Sequence, residues 1–428
     1  MRIKQSCMLL LGSLLAVSIG HAESLPDLLQ SVLDHPSIQA RRAQSMAAEY
    51  QVKAESAKYF GSGSLGATET HFGDDQFMGA FTPASFRNPS FTQNQLEYGA
   101  NYSLPIDLTG IISANRARAQ SDLTIAHLLE RQEILMKLHQ TLTAWVRLQA
   151  ISEKKHALNL EQQRVSSTVK RINGEVQAGL LPISDLTLAQ SETARNNADQ
   201  VHLQGERSQL IAMLEDMAGH PIDMSAVDNP ASKIRIPSWL VESDHSNILT
   251  QIAAQKEISA EQSALVSSRS LLPSLTANAG YTRYNGGGLS ENNWYVAARI
   301  SLPINPSAWH QRDAANALAA AARESKQATE RESIRNTMQL KANYETAAAE
   351  IKALQQEAKY RQAIVAVQDE LAKVGNITTE DVLRHERDLI STVSKLADAK
   401  ADAITAWSAE QVLNGQDPQS YTHAINFK

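Results

Sequence analysis

The sequence predicts a mainly α protein with a membrane β-barrel portion, built from two tandem halves. Three observations predict it. Motifs from the first half recur in the second, each half holds a helix-forming run far longer than a globular helix, and short alternating segments interrupt the helices at matching places.

The duplication is read from three pairs of segments. Ser103-Leu104-Pro105-Ile106 recurs as Ser301-Leu302-Pro303-Ile304, and Asp34-His35-Pro36-Ser37-Ile38 is echoed by Asp244-His245-Ser246-Asn247-Ile248. Gly179-Leu180-Leu181-Pro182-Ile183-Ser184-Asp185-Leu186 resembles Gly375-Asn376-Ile377-Thr378-Thr379-Glu380-Asp381-Val382. All three keep the same order at an offset of about 200 residues, the signature of an internal repeat. A length of 428 residues would otherwise suggest about two or three domains. The expected organisation is a signal peptide over 1–22, a first repeat over 23–220, a linker over 221–240, a second repeat over 241–415 and a tail over 416–428.

At the start, Arg2 and Lys4 precede an apolar stretch from Met8 to Ile19, and Gly20-His21-Ala22 offers small residues for cleavage after Ala22. The stretch is shorter than the roughly 20 residues a spanning helix needs. Cys7, the only cysteine, lies inside it behind Lys4-Gln5-Ser6 and lacks the small-residue box that lipidation requires. The mature chain is therefore expected in an exported compartment, without disulfides or thiolate metal ligands.

Each half then reads in one order. A helix comes first, Leu25 to about Lys58 and Ser246 to about Ser270. Two short strand-like segments and a loop follow, then a very long helix, a Gly-containing turn and a returning helix. The long helices run from about Ile112 to Val176 and from about Ser307 to Val374. At 1.5 Å per residue each is on the order of 100 Å long, against a usual length of about 11–12 residues. Such helices need continuous lateral partners. Leu135, Leu138, Leu142 and Trp145 supply a three-four spacing in the first, and Tyr344, Ala348 and Ile351 do so more weakly in the second. Small residues from Ala314 to Ala322 permit close helix approach.

The strand segments alternate with period two. Tyr98, Ala100, Tyr102 and Leu104 share one face, as do Leu275, Ala277, Ala279 and Tyr281, and Trp294, Val296, Ala298, Ile300 and Leu302. Leu65 to Phe72 is less regular. Period two over about 9 residues suits a transmembrane strand, and a small soluble sheet on the helices is the plain alternative. Export and helix length favour the barrel. Four strands cannot close one, because open edges are not tolerated in lipid and barrels start at about 8 strands. Strands must be pooled between subunits, and the arithmetic does not choose between two copies and three.

Composition excludes other classes. Forty basic and 46 acidic side chains leave a net charge of −6, without the basic excess of a nucleic-acid binder. The 12 histidines form no His-Glu-x-x-His run, Gly286-Gly287-Gly288 lacks a following phosphate-binding lysine, and no Gly-x-Ser-x-Gly occurs. No catalysis and no cofactor is expected. A soluble periplasmic coiled-coil adaptor or a structural filament would explain the helices, but neither requires four alternating strands.

Together these motifs resemble the TolC family of outer-membrane efflux proteins over nearly the whole mature chain. Leu28-Leu29 with Asp34 to Ile38 looks like the family's opening helix motif. Leu271-Leu272-Pro273-Ser274-Leu275 resembles its helix-to-strand passage, and the Ser-Leu-Pro-Ile segments its strand-to-helix exits. The resemblance implies a homotrimer in the outer membrane, with a twelve-stranded barrel and a twelve-helix periplasmic tunnel. It also implies a periplasmic adaptor and an inner-membrane transporter as partners, the whole forming a tripartite efflux pump for which this chain is the exit duct.

Local chemistry accords with these motifs. Pro105 and Pro303 can end strands, Gly179 and Gly375 suit left-handed helix ends, and Ser184 and Thr378 or Thr379 are good N-caps. By resemblance, Asp185, Glu380 and Asp381 line the constricted periplasmic mouth, where symmetry would repeat each into a ring that favours cations. Complementing a helix dipole, worth about 0.3–1 kcal/mol, is the plainer role for all three. Arg384 stands where a second ring acid would be expected, and Ile377 where the family has a gate-bridging arginine. Gly179, Leu180, Val374 and Gly375 resemble adaptor-contacting tips, although turn chemistry alone accounts for the glycines. Arg299, on the polar side of its strand, is a candidate for the barrel lumen, with a satisfied structural arginine as the alternative. The loop Gly73 to Gln95 concentrates Phe77, Phe81, Phe86 and Phe91 and is expected over the external mouth.

Overall fold

The computed structural model describes residues 24–79, 83–87, 89–223, 227, 234–239, 247–373 and 377–425. The expected signal over 1–22, Phe81, Asp244 to Ser246, Val374, Gly375 and half of the linker lie outside the described residues.

Helix α1 (Leu25–Ser31) and α2 (Pro36–Ala57) replace the single first helix expected to reach Lys58. The chain passes through a 3-10 turn at Val32–Asp34 and breaks at His35. Pro36 disfavours helix in the residue before it, and the His35 ring accepts the Ser37 amide at 3.2 Å as the cap. In the second half the same motif caps α6 (Ile248–Arg269) through Asn247, whose side chain accepts the Leu249 amide at 2.8 Å. Ile38 and Ile248 anchor both starts in the core.

Strands β1 (Ser62–Phe77), β2 (Phe91–Ile106), β3 (Ser274–Gly286) and β4 (Leu289–Ser301) form one antiparallel sheet in the order β1-β2-β3-β4. The connection between β1 and β2 is shorter than the expected loop, because Phe77 and Phe91 pair in register and close edge-on at 5.9 Å. A short α3 (Pro83–Arg87) lies within it. Pro105 sits inside the end of β2 rather than after it, opposite Thr276.

Two long helices follow the strand pairs, α4 (Ile111–Gln177, 67 residues) and α7 (Pro306–Lys373, 68 residues). Their returning partners are α5 (Ile183–Ala218, 36 residues) and α8 (Thr379–Leu413, 35 residues). Towards the sheet the lateral order is α2, α4, α6, α7; away from it the order is α5, α4, α8, α7. The short helices thus line up end to end along the long ones, α2 and α5 with α1 between them, and α6 on α8.

The stacking level coincides with the main core. Leu135, Leu138, Leu142 and Trp145 of α4 meet Leu25 and Leu28, Leu214, and Ile404 and Trp407 there. Ala347 and Ile351 of α7 are buried beside it, with Tyr344 half-buried. Nearer the hairpin tips, α4 buries Ile151, Leu158, Val165 and Ile172, and α5 buries Ala189, Asn196, Leu203 and Met217. The four α4 positions, and Ala189, Asn196 and Leu203 of α5, fall at a seven-residue spacing, which holds two helices together by left-handed supercoiling.

The expected C-terminal tail contains helix α9 (Pro418–Ala424), which docks on this core by stacking Tyr421 against Trp407 at 5.8 Å. His139 of α4, Ser408 of α8 and Tyr421 form a buried chain, Nδ1 to Oγ 2.8 Å and Oγ to Oη 2.5 Å. Burial holds the His139 pKa below its ordinary value of 6.5. His35 is lowered too, by burial and then by the nearby Lys137 charge. The unfolded chain binds these protons more readily, so stability is intact above about pH 6.5 and declines as pH falls towards the lowered folded values. His139→Gln should flatten part of that decline, read by denaturant titrations at about pH 7.5 and about pH 5.5. An unchanged pH slope would remove His139 from the account.

Candidate functional site at the pore mouth and barrel wall

The α4–α5 tip is built by a helix end that glycine permits. Gly179 sits at φ 75°, its amide bonds to Val176 O at 3.0 Å, and the Leu180 amide returns to Glu175 O at 2.8 Å. In this double-bonded helix stop the residue at the Leu180 position usually packs on an apolar side chain one turn back. Here that position is Glu175, so Leu180 stays 74 % exposed, beside Ile183 at 72 %. Ile183 was not among the residues singled out in the sequence; its place between Pro182 and Ser184 at a helix start was the available signal. Leu181 turns inward onto the cluster of Val165, Ile172 and Ala189.

Asp185, Glu380 and Asp381 all fall in the first turns of the returning helices. Their surroundings differ. Thr378 caps α8 by accepting the Asp381 amide at 3.2 Å, and its hydroxyl donates to Asp381 Oδ2 at 2.7 Å. Arg384 donates to the other oxygen, Oδ1, at 2.7 Å. Both Asp381 oxygens are therefore engaged within one helical turn. Among the described residues Asp185 accepts from the Ser184 hydroxyl alone, at 3.4 Å, and Glu380 is exposed. Ser184 is not the cap that its residue type suggested; α5 begins after Pro182 with no side-chain cap, and Ser184 lies inside the helix. Pro182 holds the extended backbone a cap needs, φ −73° and ψ 153°, which leaves Ser184 two residues too late.

Above the tip a polar cluster joins the two hairpins. Asn196, buried within the α5 seam, donates to Glu161 at 2.7 Å and to Leu158 O at 3.3 Å. Burial raises the Glu161 pKa, and the Asn196 bond opposes that shift. Arg387 of α8 pairs with Glu192 of α5. A polar residue in a heptad seam fixes register at some cost in stability.

At the other end the register divides the sheet into two faces. Leu65, Ala100, Tyr281 and Trp294 lie side by side across all four strands, with Tyr102, Ala279 and Val296 in the next row. The opposite face carries Ser64, Asn101, Thr276, Asn278 and Arg299. Arg299 is exposed on this polar face, opposite Thr276. On the same face the Tyr295 ring crosses Gly280, where any Cβ would stand 2.4 Å from it, and its hydroxyl donates to Asn101 at 3.3 Å. β1 and β4 are paired on one side only.

The sequence profile described as "Outer membrane efflux protein" matches residues 28–220 and 246–414, one match in each half. The chain belongs to the outer membrane efflux protein family. Among solved structures, this efflux protein is similar to the outer membrane protein VceC from Vibrio cholerae, at 17 % identity and TM-score 0.76, over 91 % of this chain and 96 % of that one. The Campylobacter jejuni CmeC outer membrane channel matches at 14 % identity and TM-score 0.77, over 94 % and 90 % of the two chains. The open state of the Neisseria gonorrhoeae MtrE outer membrane channel matches at 16 % identity and TM-score 0.71, over 91 % and 88 %. No curated protein matches it by sequence.

Family and fold are those of outer-membrane channels, with a barrel in the membrane and a helical tunnel in the periplasm. The efflux protein serves as an outer-membrane exit duct, and neither a soluble adaptor nor a filament accounts for a sheet with one apolar face and one polar face. Among the described residues no helix is long and apolar enough to cross a membrane.

At the tip, Gly179→Ala meets no atom within 4 Å but keeps the left-handed conformation. It should therefore cost about 1–2 kcal/mol of local stability, read as faster hydrogen exchange of the Leu180 amide with the rest of α4 unchanged. Unaltered exchange would mean the hairpin tolerates another turn.

Proposed function

We propose that three copies of this chain pool their strands into a twelve-stranded barrel and their helices into one tunnel, with an adaptor docked at the hairpin tips and an inner-membrane transporter beyond it. The carrying observation is the pair of open sheet edges, β1 and β4, on a sheet whose apolar face belongs in lipid. Unpaired backbone groups there cost several kcal/mol each, so β4 of one copy meets β1 of the next. Two copies would yield eight strands; the family resemblance supports three.

At the periplasmic mouth the acids are unequal. Arg384 compensates Asp381 on its own helix, and an exposed pair of this kind adds about 0–1 kcal/mol of stability, so its effect is on charge. Asp185 carries the field that an entering solute meets, Glu380 stands outside it, and Arg299 lines the lumen at the barrel end. In planar bilayers Asp185→Asn should lower cation selectivity, and Arg384→Ala should raise it by releasing Asp381. Wild-type selectivity in both variants would return these residues to plain helix-start chemistry.

Leu180 and Ile183 are the apolar tip surface offered to the adaptor, with Val374 and Gly375 at the second tip by resemblance. Leu180→Asp with Ile183→Asp should abolish export while native mass spectrometry still finds three copies. Normal export would remove the docking surface, and a stable monomer with an intact β signal would remove the pooled barrel.

A further inference from the structure

The four strands carry two basic side chains, and the register puts them on opposite faces. β1 and β2 contain no lysine or arginine, β3 contains Arg283 and β4 contains Arg299. Arg299 lies on the polar face near the helices, opposite Thr276. Arg283 lies on the apolar face at the hairpin end of the sheet, in the row Ala67, Tyr98, Arg283, Asn292. A charge on the lipid side of a barrel is costly at mid-bilayer and is tolerated only near an interface.

The depth of Arg283 follows from β2. Its apolar row runs Ile106, Leu104, Tyr102, Ala100, Tyr98 and Leu96, about 33 Å of strand. At a tilt of about 40° that rises about 25 Å, the height of the apolar band of an outer-membrane barrel. Leu96 therefore stands at the outer limit of the hydrocarbon, and its row holds Glu69, Asn285 and Ser290. Arg283 is opposite Tyr98, one row short of that limit, or about 5 Å deep at the same tilt. Its side chain makes up the difference. Nη2 donates to Ser290 Oγ at 3.4 Å, so the guanidinium reaches outward to the polar row. Such snorkelling leaves the stem in lipid and brings the charge to the headgroups.

The chain offers that charge little in return. Nε has no hydrogen-bond partner, and among the described residues no carboxylate pairs with the guanidinium. Glu69, the acid of the outer row, lies two strands away on β1, a separation of about 10 Å. The nearer groups are donors as well. Asn285 Nδ2 donates to Tyr98 Oη at 3.3 Å, which leaves the tyrosine proton to donate elsewhere. Asn292 sits directly across from Arg283. A guanidinium, a phenol and two carboxamides at one level lack an anion. Phosphate oxygens match that set, because guanidinium binds them through paired, charge-assisted hydrogen bonds.

We propose that Arg283, with Tyr98, Asn285 and Asn292 around it, binds the phosphate of a lipid headgroup in the outer leaflet of the outer membrane. The occupant is a lipid phosphate rather than free phosphate because the row beneath holds Tyr281 and Trp294, where acyl chains lie. The bound headgroup neutralises Arg283 on the lipid-facing side and ties β2, β3 and β4 to the membrane surface at one level. The inference rests on the lipid-facing reading of the sheet, and not on the number of copies or the charge at the mouth.

The test is native mass spectrometry of the assembled channel in detergent, titrated with dioleoyl phosphatidic acid and with dioleoylglycerol, which differ by the phosphate alone. Heat-modifiable migration of the oligomer confirms that each variant has assembled. The wild type should prefer phosphatidic acid. Arg283→Gln should weaken that binding by about tenfold or more, the loss expected for a hydrogen bond to a charged group, and leave dioleoylglycerol binding unchanged. Arg299→Gln makes the same charge change on the opposite face and should leave both unchanged. Inorganic phosphate, set against chloride at equal ionic strength, should not displace phosphatidic acid. A wild type that binds both lipids equally overturns the site whatever the variants do, and so does full preference in Arg283→Gln. An equal loss in Arg299→Gln places the phosphate in the lumen and overturns it as well. Displacement by inorganic phosphate overturns the lipid assignment in favour of free phosphate. A preference that emerges only in Glu69→Gln means that Glu69 of a neighbouring copy already holds Arg283, which also overturns it. Binding of neither lipid by the wild type overturns the lipid-facing reading of the sheet, and the site with it.

Discussion

Backbone pairing is the constraint that orders this molecule. In hydrocarbon each unpaired amide or carbonyl costs several kcal/mol, and the four-stranded sheet leaves the outer sides of β1 and β4 open. The strands cannot be stable in a membrane as one chain holds them, and pooling them with other copies is the proposed way to close the edges. Each long helix follows directly from a strand pair, α4 after β2 and α7 after β4. Whatever symmetry closes the sheet is therefore imposed on the helices beneath it. Barrel and tunnel are one solution to one bonding problem.

Helix length sets the second constraint. A helix of 67 residues has little stability alone, because most helical stability in water comes from packing a face. The chain provides that packing with two shorter helices laid end to end beside each long one. The weak point is the joint between them, and the largest buried side chains gather there: Trp145, Trp407, Tyr421, Leu135 and Leu138. Helix α9 and the described linker residues Val227 and Ile234 seal the same level. Thus the part of the tunnel with broken helices has the densest core, and the uninterrupted part towards the tips makes do with a heptad seam.

Much of this was legible in the sequence because it depends on residues close together in the chain. The long helices were located to within a residue or two, since helical periodicity and the flanking proline and glycine positions are local. The Leu135 to Trp145 spacing marked the core correctly for the same reason. The strand rows of β2, β3 and β4 were read from their alternation, whereas β1 looked irregular because only Leu65 and Ala67 supply apolar side chains to its lower rows. The heptad of Ile151, Leu158, Val165 and Ile172 was available too, and the buried Asn196 could have been found from its place between Ala189 and Leu203. Among the mouth residues, sequence placed Asp185 and Asp381 at helix starts but said nothing of how differently they are bonded. That difference turns on Arg384 and Thr378 side-chain geometry.

By itself, then, the sequence determined the duplicated order of elements and the two-faced character of the strands, and it gave the strand count on which the pooled barrel is proposed. Each of these follows from periodicity, from turn chemistry or from counting strands. Tertiary structure decided the register that aligns the apolar rows across four strands, the end-to-end alignment of α2 with α5 and of α6 with α8, and the capture of α9 by Trp407. It also decided that Arg384 compensates Asp381. These are relations between segments far apart in the chain. Their energies arise from burial and pairing across helices and strands, which no local pattern encodes.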